Sequence, residues 1–391
     1  MTGLALASFL AFGALLVLYG ANSSELIEAL GLGYADLGLL GSSLSLGLGI
    51  GIVIAGPLVD RLPRRPLFVG AGASVAAACL ALGPGTEFRG LLAATIVIGF
   101  GAGFYETVLN ALIVETHEDA APRRLVFIHS AATLAAALTP LFFDALRHPG
   151  PVFAALALPG LPDLAWHDTF RLAGALHLLL IAAAWLVPMP ASRRAAHASD
   201  GGPEKASEDR IAFVAICLAT FAYVGVESAL TLFVADHART DLGLDASRAA
   251  RTISGFWSGL LIGRLAVGLS PRAPGAGTTA LLAAVASAIV VSFGLGWLSP
   301  PELAMAGAGF FLGGVFPVMI GLAGRALPRN AGLAVGLAGG LGSLGGFVVP
   351  WITGLIAGSG GLPGAIASLA GWLGLLVCAA TIVRVRRATI D

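Results

Sequence analysis

The chain has 391 residues, of which 57% are hydrophobic and only 11% are charged, and its acidic and basic residues balance to a net charge of zero. A soluble domain carries roughly 25% charged residues, so this composition excludes an ordinary water-soluble protein and indicates an integral membrane protein. The zero net charge gives no sign of a nucleic-acid partner. The 54 glycines fit the same class, because small residues let helices pack closely in lipid.

Twelve apolar runs follow one another along the chain, each about 20 residues long, the length that crosses the hydrocarbon core. The first run has no basic segment before it, so it is interpreted as a membrane helix and not as a signal peptide. The expected fold class is all-α integral membrane, with twelve transmembrane helices in two six-helix bundles. The predicted spans lie near residues 3–21, 36–58, 66–84, 90–115, 125–144, 170–188, 210–235, 251–270, 278–298, 302–325, 331–357 and 364–383.

The breaks between the runs divide the chain. The most polar break, MPASRRAAHASDGGPEKASEDR, predicts an N-terminal bundle over 1–188, a linker over 189–209 and a C-terminal bundle over 210–391. The apolar, proline-rich break RHPGPVFAALALPGLPDLAWHD is expected to lie against the membrane surface. Most basic residues fall on the side of the two termini, which predicts that both termini are cytoplasmic. The composition favours the cell inner membrane of a bacterium.

The break after the second run contains GPLVDRLPRR, which resembles the loop signature of the major facilitator superfamily. Pro63 stands where that family usually has glycine. The resemblance implies a conformational gating loop, in which Asp60 meets a helix N-terminus or a basic side chain and holds the two halves in one state. A plain cytoplasmic anchor would explain the arginines but not the aspartate. The residues that carry the match are Gly56, Leu58, Asp60, Arg61, Arg64 and Arg65.

The fourth and fifth runs narrow the resemblance. GFYETVLNALIVE and RLVFIHSAATLAAALTP are similar to the corresponding helices of the fucose:proton symporter family, through Glu106, Thr107, Asn110, His129 and Pro140. FAYVGVESALTLFV and ISGFWSGLLIGRLAVG are likewise similar to helices seven and eight of that family. The residues that carry this similarity are Glu227, Phe256, Trp257, Gly263 and Arg264. The resemblance covers most of the chain. It implies that Glu106 contacts the proton or the substrate and that Asn110 hydrogen-bonds a hydroxylated solute.

The residues themselves point to the same chemistry. A charge at the bilayer centre costs about 2.5–3.5 kcal/mol on insertion scales, so Glu106 is expected to face a cavity or a partner. Glu106 and Asn110 share one helix face, and Tyr223 and Glu227 form a polar stripe in the second half. A carboxylate in a low-dielectric cavity can bind and release a proton as access alternates. The candidate substrate and proton site is Glu106, Asn110, Glu227, His129, Tyr223 and Trp257.

Several of these residues also have a plainer interpretation. Glu106 and Asn110 could be polar contacts between helices. His129 could be a packing histidine, and Trp257 could pack or could stack on a sugar ring. Gly20 stands where the sugar-transporting members carry an acidic residue in the first helix. Glu106 would then serve alone, or transport would not be coupled to protons.

The leading functional hypothesis is a monomeric secondary active transporter that moves a small polar solute, with a sugar preferred, together with protons by alternating access. The alternative is a proton-coupled exporter of amphipathic or drug-like compounds. Proton-coupled drug exporters often carry an arginine in the fourth helix and a glycine-flanked proline in the fifth. The fourth run of this chain has no arginine and Pro140 has no flanking glycines, which favours uptake. The apolar residues expected to wall the site favour export. A receptor or scaffold is a third hypothesis. No catalytic constellation or metal-ligand spacing occurs, so no enzyme activity, metal or cofactor is expected.

Overall fold

A computed structural model of the chain describes residues 1–117, 121–147, 164–189, 208–270 and 274–388. Within these ranges the chain is a series of α-helices that run back and forth. The helices are α1 (Thr2–Ala21), α2 (Ser23–Leu30), α3 (Tyr34–Val59), α4 (Arg64–Ala81), α5 (Phe88–His117), α6 (Ala121–Arg147), α7 (Trp166–Leu186), α8 (Arg210–Thr240), α9 (Ala246–Leu269), α10 (Ala276–Gly294), α11 (Pro301–Leu312), α12 (Val315–Ala326), α13 (Ala331–Gly360) and α14 (Leu362–Ala388).

The predicted spans are confirmed as helices, and the chain is a multi-pass membrane protein. Within the described residues, eleven stretches are long and apolar enough to cross a membrane, counting Pro301–Ala326 as one. Helix α4 is not among these eleven, but its 18 residues rise about 27 Å, close to the thickness of the hydrocarbon core, and it corresponds to the remaining predicted span. The predicted span 302–325 differs in detail: it breaks into α11 and α12 at Gly313 and Gly314, where two glycines in succession weaken the helix.

The buried apolar side chains form two clusters. One is drawn mainly from residues between Leu4 and Ala184, and the other mainly from residues between Ala215 and Val383. Each cluster therefore corresponds to one six-helix half of the chain. A few residues of one half pack in the cluster of the other half. Leu232 and Phe233 of the second half belong to the first cluster, and Val17 of the first half belongs to the second, so these residues lie where the halves touch.

Among the described residues, the two halves meet mainly along three pairs of helices: α1 with α8, α3 with α13, and α6 with α9. We call the end where α1 begins and α14 ends the termini face, and the other end the opposite face. At the opposite face, the Ser24 hydroxyl donates to Asp236 (2.7 Å) and the Ser247 hydroxyl donates to Asp144 (2.5 Å), each across the two halves. The two halves are therefore joined by hydrogen bonds at the opposite face.

Helices α3 and α13 touch backbone to backbone near that face. A Cβ atom on Gly38 would lie 3.1 Å from the Cα of Gly354, and a Cβ atom on Gly354 would overlap the carbonyl oxygen of Tyr34. Glycine at both positions is what allows this approach, as is common for helices that pack in lipid.

Some predictions fall partly outside the described residues. The linker predicted over 189–209 lies outside them from 190 to 207, and the apolar break lies outside them from 148 to 163. The bundle boundaries therefore stay a prediction. The three cysteines all lie in apolar runs, yet only Cys79 and Cys217 are buried, whereas Cys378 is exposed on α14.

The glycine contact between α3 and α13 is testable with a matched pair of variants. Gly354→Val would force a side chain into the α3 backbone and should cost about 1–3 kcal/mol, as overpacking does. Gly358→Val is the control, because one turn further along α13 a Cβ atom meets open space. Thermal unfolding of the purified protein in detergent should show a lower midpoint for Gly354→Val only. Equal midpoints for both variants would contradict the close approach.

Candidate functional site

A small cavity lies between the two halves at mid-depth. Its volume is about 50 Å³, which gives room for a few water molecules. The first half contributes α1 and α3 to its walls, and the second half contributes α8 and α9. Its lining residues are Leu16, Tyr19, Gly20, Gly41, Leu44, Ser45, Glu227, Ser228, Thr231, Leu232 and Trp257.

Glu227 is the carboxylate of this cavity, and it is paired. The Tyr223 hydroxyl, one turn earlier on α8, donates a hydrogen bond to Glu227 Oε2. Arg264 Nη2, on α9, lies 3.2 Å from the same oxygen and 3.2 Å from the Tyr223 hydroxyl. Only 15% of the Glu227 side chain and 20% of the Arg264 side chain are exposed, so the two charges are largely shielded from solvent and depend on each other.

Trp257 is held in place by the same stripe of α8. Its indole Nε1 donates to Thr231 Oγ1 at 3.1 Å, and that hydroxyl donates to the backbone carbonyl of Glu227 at 2.7 Å. The indole is almost fully buried, with one edge at the cavity. A polar contact therefore fixes the orientation of an aromatic ring at the cavity wall.

Among the described contacts, one hydrogen bond joins the site to the first half. Arg264 Nη1 donates to Thr133 Oγ1 at 2.8 Å, from α9 to α6. Thr133 lies one turn after His129 and donates to its backbone carbonyl at 3.3 Å. The His129 ring packs edge-on against Phe9, with ring centroids 4.6 Å apart, and lies within electrostatic reach of Arg264.

Glu106 and Asn110 lie away from the central cavity, on a face of α5 within the first half. Both are half-buried on α5, with the Asn110 side chain in hydrogen-bonding reach of Glu106, and neither lines the central cavity. Gly99 and Gly103, on the same stripe of α5, lie against the backbone of α3. The Asn110 Oδ1 atom is buried without a hydrogen-bond partner. This stripe therefore turns towards α3 within the first half.

The predicted site residues thus separate into two groups. Glu227 and Trp257 line the cavity, and Tyr223 hydrogen-bonds to Glu227 beside it. His129 lies one turn from Thr133, which accepts a hydrogen bond from Arg264. The candidate set from the sequence leaves out Arg264 and Thr133. The signal for Arg264 was available, since an arginine inside a membrane span points to a functional role as strongly as Glu106 does. Nothing in the sequence marks Thr133.

The loop after α3 contacts other helices of its own half. Arg64 is buried and pairs with Glu115 at the end of α5. Arg65 Nη2 donates to the carbonyl of Val187 at 2.9 Å, and its guanidinium lies over the Trp185 ring. Gly56 borders open space, and Asp60 and Arg61 are exposed. The gating role predicted for this loop stays a prediction.

A second cavity, of about 350 Å³, opens between the halves at the opposite face. Arg147 lies in its wall and donates to Asn22 Oδ1 (2.8 Å) and to Glu25 (3.1 Å). Glu25 and Glu28 lie on α2, beyond the end of the first span. Helix α1 itself has Gly20 where an acidic residue would be expected by resemblance.

Comparison with known proteins decides the family. A family model described as Major Facilitator Superfamily matches residues 4–308. The chain belongs to the major facilitator superfamily. This family and the structural relatives are transporters and not enzymes, and the expected fold of twelve helices in two bundles is confirmed.

Individual relatives are more distant. The chain is 25% identical to the sodium-dependent glucose transporter 1A of Mus musculus over 277 residues, which cover 64% of this chain and 64% of that relative's length. The inward-facing, occupied structure of a bacterial homologue of human Spinster has a TM-score of 0.75 at 17% identity, covering 99% of this chain and 96% of that one. The E. coli fucose:proton symporter has a TM-score of 0.64 at 19% identity, covering 98% of each chain, which confirms the resemblance at the level of the fold.

The Arg64–Glu115 pair should respond unequally to loss of its two partners. Glu115→Ala leaves the fully buried Arg64 charge without a partner and should cost about 3–5 kcal/mol. Arg64→Met removes that charge and leaves Glu115, whose side chain is 28% exposed, to water, so the loss should be smaller. Thermal unfolding of both single variants and of the double variant measures the difference.

In this comparison the double variant should regain part of the stability lost in Glu115→Ala. An Arg64→Met variant as unstable as Glu115→Ala would show that the buried charge is not the main cost.

Proposed function

We propose that this chain is a secondary active transporter that takes up a small polar solute, with a sugar as the preferred class, together with protons. The observation that carries the proposal is the cavity between the two halves, which combines a paired carboxylate, an oriented indole and, besides the phenol of Tyr19, three hydroxyl side chains. Hydroxyl groups, a carboxylate and an aromatic face are the groups that bind a polyhydroxylated ring. The three hydroxyl side chains are Ser45, Ser228 and Thr231.

The cavity as it stands is too small for a sugar, so the halves must separate for the solute to enter. The hydrogen bonds between the halves at the opposite face leave the termini face as the side where they would part. With both termini in the cytoplasm of a bacterial inner membrane, as we propose, the face joined in this conformation is the outer one. Rocking of the two halves about the central cavity would then expose it to each side in turn.

One carboxylate in each half is available for coupling. Glu227 lies at the cavity, and Glu106, with Asn110, lies on α5 of the first half. A group that takes up a proton on one side and loses it on the other converts a pH gradient into accumulation of solute. The mouse relative is named for sodium dependence, so sodium is the second coupling ion to test.

Export of amphipathic compounds is the second candidate, and it also has an observation in its favour. The cavity walls include Leu16, Leu44 and Leu232, which would suit an apolar substrate face. The direction of movement and the polarity of the substrate separate the two candidates.

The first test is uptake of labelled sugars by proteoliposomes under an inward proton gradient, an inward sodium gradient or none. The wild type should accumulate at least one sugar only with a proton gradient. Glu106→Gln and Glu227→Gln are a matched pair of neutral, nearly isosteric variants, and each should abolish accumulation while still exchanging sugar at equal concentrations.

Each other outcome has a definite meaning. Accumulation by Glu106→Gln at the wild-type rate would make Glu106 a structural contact on α5. Accumulation driven by sodium alone would replace the proton as the coupling ion. Failure of every sugar under every gradient, with outward movement of a lipophilic cation, would favour the exporter.

Trp257 provides a separate test of the cavity as the solute site. Trp257→Phe keeps an aromatic face and loses one hydrogen bond, worth about 0.5–1.5 kcal/mol, so KM for the transported sugar should rise less than about tenfold. Trp257→Ala should abolish saturable uptake. Trp297→Ala is the control, because Trp297 is mostly exposed beyond α10. Unchanged uptake by Trp257→Ala would place the solute elsewhere.

A further inference from the structure

A buried carboxylate at the opposite face has one oxygen atom without a partner. Asp236 lies near the end of α8 and is only 2% exposed. Its Oδ1 atom accepts a hydrogen bond from the Ser24 hydroxyl on α2, whereas its Oδ2 atom is buried without a hydrogen-bond partner. Among the described contacts, no basic side chain forms an ion pair with it. A carboxylate in such a place is costly unless a counter-charge or a hydrogen bond compensates it.

The side chains around Asp236 offer further oxygen atoms. Tyr34, at the start of α3, lies within interaction range of the Asp236 carboxylate and of the Thr240 hydroxyl. The Thr240 hydroxyl donates to the backbone carbonyl of Asp236 at 2.8 Å and lies 3.1 Å from Asp241 Oδ2. Carboxylate, carbonyl and hydroxyl oxygens are the ligands that hard cations prefer. The free oxygen of Asp236 therefore lies in a neighbourhood suited to a cation.

The end of α8 makes this neighbourhood more negative. Asp241 is the C-cap of α8, and a helix C-terminus carries a partial negative charge. Two basic side chains of the same turn have other surroundings. His237 pairs with Asp241 at 3.0 Å, and Arg239 is exposed at the wall of the 350 Å³ cavity. Asp241 is thus partly compensated, and Asp236 is not.

We propose that Asp236 is the anionic ligand of a binding site for a small alkali cation at the opposite face. The other ligands are Tyr34, Thr240 and Asp241. The ion reaches the site from water, because Thr240 and Asp241 are exposed. Tyr34 belongs to the first half and the other three residues belong to the second, so the bound ion joins the halves beside the Ser24–Asp236 hydrogen bond. The site is separate from the central cavity and needs no assumption about the transported solute.

The balance of charge favours a monovalent ion. Asp236 supplies one uncompensated negative charge, whereas Asp241 already shares its Oδ2 atom with His237. Calcium sites usually combine several carboxylates with carbonyl oxygens and water. Sodium is therefore the probe of the site, and calcium is the divalent alternative.

Equilibrium binding of radiolabelled sodium to the purified protein in detergent tests the site directly. The medium is choline chloride at constant ionic strength and pH 8, where an ordinary carboxylate is ionised. Choline serves as the inert cation because its methyl groups keep its charge away from a buried oxygen atom. The wild type should bind sodium saturably, and the nearly isosteric variant Asp236→Asn should not.

Asp245→Asn is the matched control. Asp245 is exposed at the same face and caps α9 by accepting a hydrogen bond from the backbone N–H of Arg248 at 2.8 Å. Asparagine caps a helix about as well, so this variant should bind sodium like the wild type. Tyr34→Phe keeps the ring and removes one neutral ligand. Its affinity for sodium should fall by up to about tenfold, the size of one hydrogen bond.

Thermal unfolding distinguishes a cation ligand from a structural carboxylate. A ligand that binds only the folded protein raises the unfolding midpoint as its concentration rises. Sodium should therefore raise the midpoint of the wild type and of Asp245→Asn, but not that of Asp236→Asn. In choline chloride alone, Asp236→Asn should unfold at or above the wild-type midpoint, because it removes an uncompensated buried charge. A structural role alone would lower its midpoint equally in both salts.

Three outcomes would overturn the proposal. The first is a wild type without saturable sodium binding, which would leave Oδ2 of Asp236 to a buried water molecule. The second is equal sodium binding by Asp236→Asn, and the third is stabilisation by calcium but not by sodium. Uptake assays are independent of these results. Sodium binding without movement of any sugar would support the cation site and not the proposed function, and sugar uptake without sodium binding would support the reverse.

Discussion

A charged side chain inside a lipid bilayer must have a partner, and this requirement determines how the second half of the molecule is arranged at its centre. Arg264 on α9 can remain at that depth because Glu227 on α8 lies beside it, and Glu227 can remain there because Arg264 and the Tyr223 hydroxyl surround it. The two helices must therefore keep one relative height and rotation. The hydroxyl of Thr231 and the indole of Trp257 then fall at the cavity wall, because they share the stripes that carry the pair.

The contacts between the halves are of two physical kinds. Near the opposite face, α3 and α13 meet through glycines with no side chain between their backbones, so the contact depends on shape and is insensitive to charge. At mid-depth, α6 and α9 are joined by a hydrogen bond from a guanidinium, which depends on charge. A transporter has to move while keeping its halves together. The glycine contact fixes how closely the helices approach, whereas the hydrogen bonds of Arg264, Asp236 and Asp144 between the halves depend on charge.

The fold was largely accessible from the sequence, because a segment that crosses lipid must hydrogen-bond its own backbone and must be apolar over a known length. That argument predicts twelve spans and needs no information about neighbours. It does not predict the interruption between α11 and α12, since the glycine pairs at 339–340 and 345–346 lie within the unbroken helix α13. The site was less accessible. Tyr223 and Glu227 could be grouped because they lie on one helix face, whereas the pairing with Arg264 depends on how α8 and α9 are rotated against each other.

The same limit explains why Glu106 looks central in the sequence and lies to one side in the structure. Its position near the middle of a span says how deep it is, but not in which direction it faces. That direction follows from its helical stripe, where Gly99 and Gly103 rest on α3. The stripe that allows close packing within the first half also carries Glu106 and Asn110, so their polar groups lie beside a packed seam. Glu227 has no such neighbours on its stripe, which is lined by a tyrosine and a threonine that hydrogen-bond around it. Depth in the membrane makes a carboxylate notable, but the residues one turn away decide whether it faces a cavity or a neighbouring helix.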